Sequence, residues 1–135
     1  MKRLLVIFLL LSPLLANAEW TSISKSHDSS EPGAGEYFID SPSITKNGTY
    51  ARAWFLVNYY STQFDAPNNK PYDSAKIYEE FDCSGKRVRF LSYAFYSKKN
   101  ASGFVTASFT YNPPTDWSFI GPGEISAGLA KYACR

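Results

Sequence analysis

Residues 75–97 read AKIYEEFDCSGKRVRFLSYAFYS, and the fold turns on this stretch. Two β-prone runs, Ala75 to Cys83 and Lys86 to Ser97, flank Ser84-Gly85, a pair suited to a tight turn. Under period-2 alternation Ile77, Phe81 and Cys83 share one face of the first run, with Glu79 the polar exception among them. The return run carries Val88, Phe90, Leu91, Tyr93, Phe95 and Tyr96. Together the two runs predict an antiparallel hairpin. Glu80 and Asp82 share the other face of the first run, and Lys86, Arg87 and Arg89 follow across the turn. Cross-strand ion pairs are therefore expected there.

Before the hairpin, Tyr50 to Tyr60 is the longest unbroken β-prone run, with Trp54 and Leu56 on one face and Ala51, Ala53, Phe55, Val57 and Tyr59 on the other. Apolar residues on both faces predict a central strand. Ser61 to Asp73, with Pro67, Asn68, Asn69 and Pro71, reads as a polar loop. Trp20 to Lys25 and Glu36 to Asp40 read as short strands around a Ser-, Pro- and Gly-rich loop, and Lys46 to Thr49 reads as a turn around Asn47-Gly48. After the hairpin come a turn at Lys98-Lys99-Asn100, a strand from Gly103 to Thr110 and a proline-containing segment leading to Trp117 to Ile120. From Pro122 the character changes. Ile125, Leu129, Tyr132 and Ala133 fall at helical spacing, with Glu124 near the start and Lys131 and Arg135 near the end, as the helix dipole favours.

The N-terminal residues have the layout of an export signal. Lys2 and Arg3 precede an apolar run, Leu4 to Leu15, and Ala16-Asn17-Ala18 supplies the small residues a signal peptidase reads. The run is shorter than the ~20 residues a spanning helix needs. We expect residues 1–18 to be a signal peptide and residues 19–135 to be one mature domain; an uncleaved anchor is the alternative. Glu19 stands where a lipid-anchored protein would carry its acylated cysteine, so neither a lipid anchor nor a transmembrane segment is expected. The protein would then lie in the periplasm, on the outer surface or in the medium.

The chain has 14 basic and 12 acidic residues, and losing Lys2 and Arg3 brings the mature domain to balance. No global field then draws it onto nucleic acid, and no nucleic-acid partner is expected. Cys83 and Cys134 are the two cysteines. In an exported protein such a pair reads as a disulfide; two free thiols, or a redox pair without C-x-x-C spacing, is the alternative. The fold class is accordingly α+β: a mainly antiparallel sheet of five or six strands, with one short C-terminal helix packed on a sheet face and tethered to it by the Cys83–Cys134 disulfide.

Several residues together are similar to the surface-adhesin protein E family: Ala53-Trp54-Phe55-Leu56, Ile77 to Cys83, Arg87 and Arg89, Trp117 to Gly123, and Cys134. The resemblance runs from Trp20 to Cys134. It implies a small exported antiparallel sheet whose C-terminal helix is clamped by a disulfide. It also implies outer-surface adhesion to host extracellular-matrix proteins and haem, although the named member is a lipoprotein and this chain has no lipidated cysteine. Fold follows from such a resemblance more firmly than activity.

The chemistry of the side chains points to binding, not catalysis. His27, the one histidine, sits in Lys25-Ser26-His27-Asp28-Ser29-Ser30, but adjacent loop residues cannot aim at one another as a triad must. One histidine and a cysteine pair in a disulfide leave too few ligands for zinc, so neither metal nor cofactor is expected. The candidate binding surface is Lys86, Arg87, Arg89 and Tyr93, a local basic and aromatic patch for a polyanion or an acidic protein. The chain has ten tyrosines, more than a small core needs, which fits a protein interface or a homodimer. The expected function is a non-enzymatic cell-envelope module with a protein partner. The alternative is a periplasmic inhibitor of a secreted hydrolase such as lysozyme, presenting the loop Ser61 to Asp73.

Overall fold

The computed structural model describes residues 18–135, so the expected signal peptide lies outside it except for Ala18. The described chain forms β1 (Trp20–Lys25), β2 (Gly35–Asp40), a 3-10 turn (Ser41–Ser43), β3 (Thr45–Asn47) and β4 (Tyr50–Asp65). It continues through β5 (Lys70–Asp82), β6 (Arg87–Lys98), β7 (Ser102–Thr110), β8 (Ser118–Phe119) and α1 (Ile125–Ala133). The strands join one antiparallel sheet in the order β1-β2-β4-β5-β6-β7, with β3 beside β4 and β8 beside β6. The architecture is the expected α+β one, with eight strands in place of five or six. The additional two, β3 and β8, have three and two residues, too few to print a periodic pattern.

The apolar β4 lies between β2 and β5, the central place its two apolar faces require. Ala51, Ala53, Phe55, Leu56 and Val57 are all buried. On one face Ile39, Ala51, Ala53, Phe55, Phe81 and Val88 form a core that α1 closes with Leu129 and Ala133. Phe55 and Phe81 meet edge to face, 5.7 Å between centroids, a favoured aromatic geometry. The small side chains of Ala51 and Ala53 leave room for the helix to approach the sheet. Backbones also approach closely at Gly35, where a Cβ would run into the Asn58 carbonyl oxygen.

The helix starts at Ile125, not Pro122. Gly123 has φ +83°, which takes the chain off any helical path and delays the first turn. At the other end Cys134 is the C-cap and is bonded to Cys83, with their Cα atoms 5.8 Å apart. The disulfide therefore ties α1 to the residue that follows β5.

The expected loop Ser61 to Asp73 does not exist as a loop. β4 runs on to Asp65, β5 begins at Lys70, and only Ala66 to Asn69 turn between them. The β5–β6 pairing begins at Ser74, so residues 70–72 of β5 are paired with β4 alone. On such an unshared edge Pro71 costs no ladder bond, and polar residues are tolerated on both faces. The prolines and asparagines mark the end of a β4–β5 hairpin, held against β7 by the Thr106 hydroxyl, which donates to the Pro71 carbonyl at 3.0 Å.

Candidate functional site

The two faces of the β5–β6 hairpin differ in chemistry. On one face Glu80 lies opposite Arg89, and Asp82 lies opposite Arg87. Glu80 Oε1 accepts from Arg89 Nε at 2.7 Å, and Glu80 Oε2 accepts from Arg52 Nε at 2.6 Å. Asp82 Oδ2 accepts from Arg87 Nη2 at 2.7 Å, and its Oδ1 accepts the Gly85 backbone N–H at 3.0 Å. The expected cross-strand ion pairs are present, with Arg52 of β4 added to them. Burial pushes the Glu80 carboxyl up, but the Arg52 and Arg89 hydrogen bonds outweigh it and hold it below the usual range. Asp82 is held below its ordinary value by Arg87 and by the Gly85 N–H.

Trp117 lies over this ladder. The guanidinium carbons of Arg89 and Arg87 sit 4.3 and 5.0 Å from its ring centroid, within cation–π range. Tyr50 stands 5.8 Å from the same ring. Between the β3–β4 hairpin and Trp117 opens a cleft of ≈ 560 Å³, lined by Thr45, Lys46, Asn47, Tyr50, Arg52, Glu80, Arg89 and Trp117.

The opposite face is apolar and only partly covered by α1. Tyr72 stacks on Phe95 at 4.1 Å, Phe95 on Tyr93 at 4.6 Å, and Tyr93 approaches Phe109 and Tyr111 at 6.2 and 6.0 Å. A shallow groove of ≈ 480 Å³ runs among Tyr59, Phe64, Tyr72, Phe90, Tyr93 and Tyr111. Phe64 and Phe109 remain 59% and 53% exposed, a large apolar area for a solvent-facing surface. Burial raises the Tyr59 hydroxyl well above the ordinary tyrosine value, with Tyr72 and Tyr37 adding to the effect. Deeper in the same face, Glu79 is 5% exposed, and its Oε2 has no hydrogen-bond partner among the described residues. Burial raises its pKa to about 8.

The residues singled out in the sequence fall in three places. Arg87 and Arg89 are side by side under Trp117. Lys86 lies on the turn with φ 51° and borders a groove of ≈ 360 Å³ shared with Ile120, Lys131 and Cys134. Tyr93 is on the face opposite the arginines. Strict alternation would place it with them, but the β5–β6 register shifts between Tyr78 and Glu79 and leaves Leu91 as an extra residue. Arg89 thus faces Glu80, while Tyr93 faces Ile77. His27 is exposed, and its neighbour Asp28 accepts hydrogen bonds from the Ser30 N–H and hydroxyl. Among the described residues no group of three or more His, Cys, Asp or Glu is placed to hold a metal ion, and no helix is long and apolar enough to cross a membrane. Arg52, Tyr50 and Trp117 join the site without having been expected there. The hydrophobic pattern around Trp117 carries no sign of the contact, because the partners lie about thirty residues away across β8.

Comparison with known proteins gives a consistent picture. The family model described as surface-adhesin protein E matches residues 20–135. Crystal form II of Haemophilus influenzae protein E superposes with a TM-score of 0.57 at 14% identity, covering 84% of this chain and 95% of that one. A second structure of Haemophilus influenzae protein E gives 0.56 at 16% identity, covering 85% and 92%. At these identities the structural likeness is one of fold. No curated protein sequence matches the chain.

Proposed function

Because this chain belongs to the surface-adhesin protein E family, we propose that it is an exported, non-enzymatic binding protein of the cell envelope that contacts host matrix proteins. The observation that carries the reading is the aromatic half-face of the sheet that α1 leaves uncovered. Tyr72, Phe95, Tyr93 and Phe109 form one continuous stacked surface there. A face of rigid aromatic rings with tyrosine hydroxyls at its rim has the composition of a protein-binding patch. The Cys83–Cys134 disulfide is in keeping with life outside the reducing cytosol. Arg87 and Arg89 lie on the other face of the same hairpin, paired with Asp82 and Glu80, and stand outside this patch.

The test is capture by the immobilised mature protein. Extracellular-matrix proteins and lysozymes are passed over it in parallel, using the wild type and the double variant Tyr93→Ser/Phe109→Ser. The expected result is retention of a matrix protein and at least a tenfold loss in the variant. Retention of a lysozyme alone would replace the reading with inhibition of a hydrolase. Retention of neither would end it.

A further inference from the structure

We propose that the cleft between the β3–β4 hairpin and Trp117 binds an acidic saccharide unit, a sugar ring bearing a carboxylate or sulfate. This goes beyond the protein-binding reading and uses the other face of the sheet.

The argument begins with charge. Two arginines, Arg52 and Arg89, face the cleft, and Glu80 is the one carboxylate lining it; Lys46 borders it from a position that pairs with Ala51 and so alternates to the other face. Both Glu80 oxygens are already engaged, Oε2 by Arg52 and Oε1 by Arg89. Its side chain is 6% exposed, so it cannot swing out to neutralise anything more. Arg87 brings no relief, since it is matched by Asp82. Among the described residues Lys46 makes no ion pair. Arg52 and Arg89 against Glu80 therefore leave the cleft one positive charge in excess, with Lys46 at its border.

Geometry then says how those charges are offered. Glu80 holds Arg52 and Arg89 by their Nε edges, and Trp117 backs Arg89 at 4.3 Å. Arg52 is held by Glu80 and approached by the Tyr78 hydroxyl, yet its side chain stays 46% exposed, so part of its guanidinium edge faces solvent. A guanidinium fixed in this way loses little freedom when an anion arrives, and it sheds its water more readily than an ammonium.

Size and lining select the kind of anion. A volume of ≈ 560 Å³ falls in the range of small-molecule sites and far exceeds what a bare sulfate fills. The lining is mainly polar, which disfavours an apolar side chain. Thr45 and Asn47 offer hydrogen-bonding groups to hydroxyls, while Tyr50 and Trp117 supply an aromatic wall on which the apolar face of a sugar ring can rest. One occupant satisfies all three features: a ring with hydroxyls along its edge and an anionic group directed at Arg52.

The test is calorimetric titration of the mature protein at low salt with four probes. These are a sulfated, uronate-containing disaccharide of the chondroitin type, a neutral disaccharide, inorganic sulfate and a short oligoglutamate peptide. The acidic disaccharide is expected to bind, more weakly as salt is raised, and the other three to bind at least tenfold more weakly. Arg52→Gln, which leaves Glu80 bonded to Arg89, should reduce its affinity at least fivefold without altering the fold, while Lys46→Gln, on the other face of the exposed β3, should change it less than twofold. Equal binding of the neutral sugar or of sulfate would overturn the proposal, as would tighter binding of the peptide, no binding at all, unchanged affinity in Arg52→Gln, or an equal loss in Lys46→Gln. None of those outcomes touches the aromatic face, so the protein-capture experiment would stand or fall separately.

Discussion

Replacing Glu79 by glutamine should make the protein more stable at neutral pH and remove most of the pH dependence of its stability. The carboxyl is 5% exposed, between Ala53 and Phe90 of the flanking strands, with Oε2 unpartnered among the described residues. Burial raises its pKa from 4.5 to about 8. The folded state therefore holds a proton that the unfolded chain has lost anywhere between those two values. Stability from this group is complete below the unfolded pKa and declines as pH rises toward the folded one. Between pH 5 and pH 7.5 the decline amounts to about 3 kcal/mol, a sizeable fraction of a small domain's total. Glu80 and Asp82 act with the opposite sign, because their depressed pKa values remove stability only as pH falls below the ordinary carboxylate range. Their window lies outside the interval. Urea unfolding of the oxidised protein at several pH values in that interval measures the slope. Wild type should lose about 3 kcal/mol and Glu79→Gln less than about 1 kcal/mol. A constant loss from the amide would displace the variant's curve without changing its slope. Parallel slopes in the two proteins would refute the reasoning.

Three other outcomes are expected. Joint replacement of Cys83 and Cys134 by serine opens a link spanning 51 residues and should cost about 4 kcal/mol in chemical denaturation. Gly35→Ala places a methyl group against the Asn58 carbonyl, which belongs to a paired strand and cannot move aside, so a loss of about 2 kcal/mol should appear in the same assay. Lys86→Gly relieves a non-glycine residue at φ 51° and should raise stability by roughly 0.5–1 kcal/mol, measured by urea midpoint, while removing a charge from the candidate binding surface.

The β5–β6 hairpin was legible because each level of the sequence agrees there: alternating apolar residues, a tight turn, and opposite charges in register. The helix was legible for a similar reason, since Leu129 and Ala133 repeat at helical spacing and are buried. What failed to show was anything set by an added residue or a distant partner. Leu91 reads as one more apolar position, yet as the extra residue of a bulge it turns Tyr93 to the other face. Pro71 reads as a loop marker because sequence alone does not say that β5 lacks a second neighbour at that point. Arg52 and Trp117 reach the ion-pair ladder from separate elements, and local pattern carries no information about such meetings. Glu79 was visible as a polar break in an apolar face, but not the absence of a partner for it.

The covalent circuit closed by Cys83 and Cys134 contains β6, β7, β8 and all of α1. A protease that severs one peptide bond anywhere inside it leaves both fragments on a single molecule. The terminal helix is held at its head by the chain and at its tail by sulfur, so one such cut cannot detach it from the strands it shields. Wherever hydrolytic enzymes are common, this wiring tolerates a first injury without loss of parts.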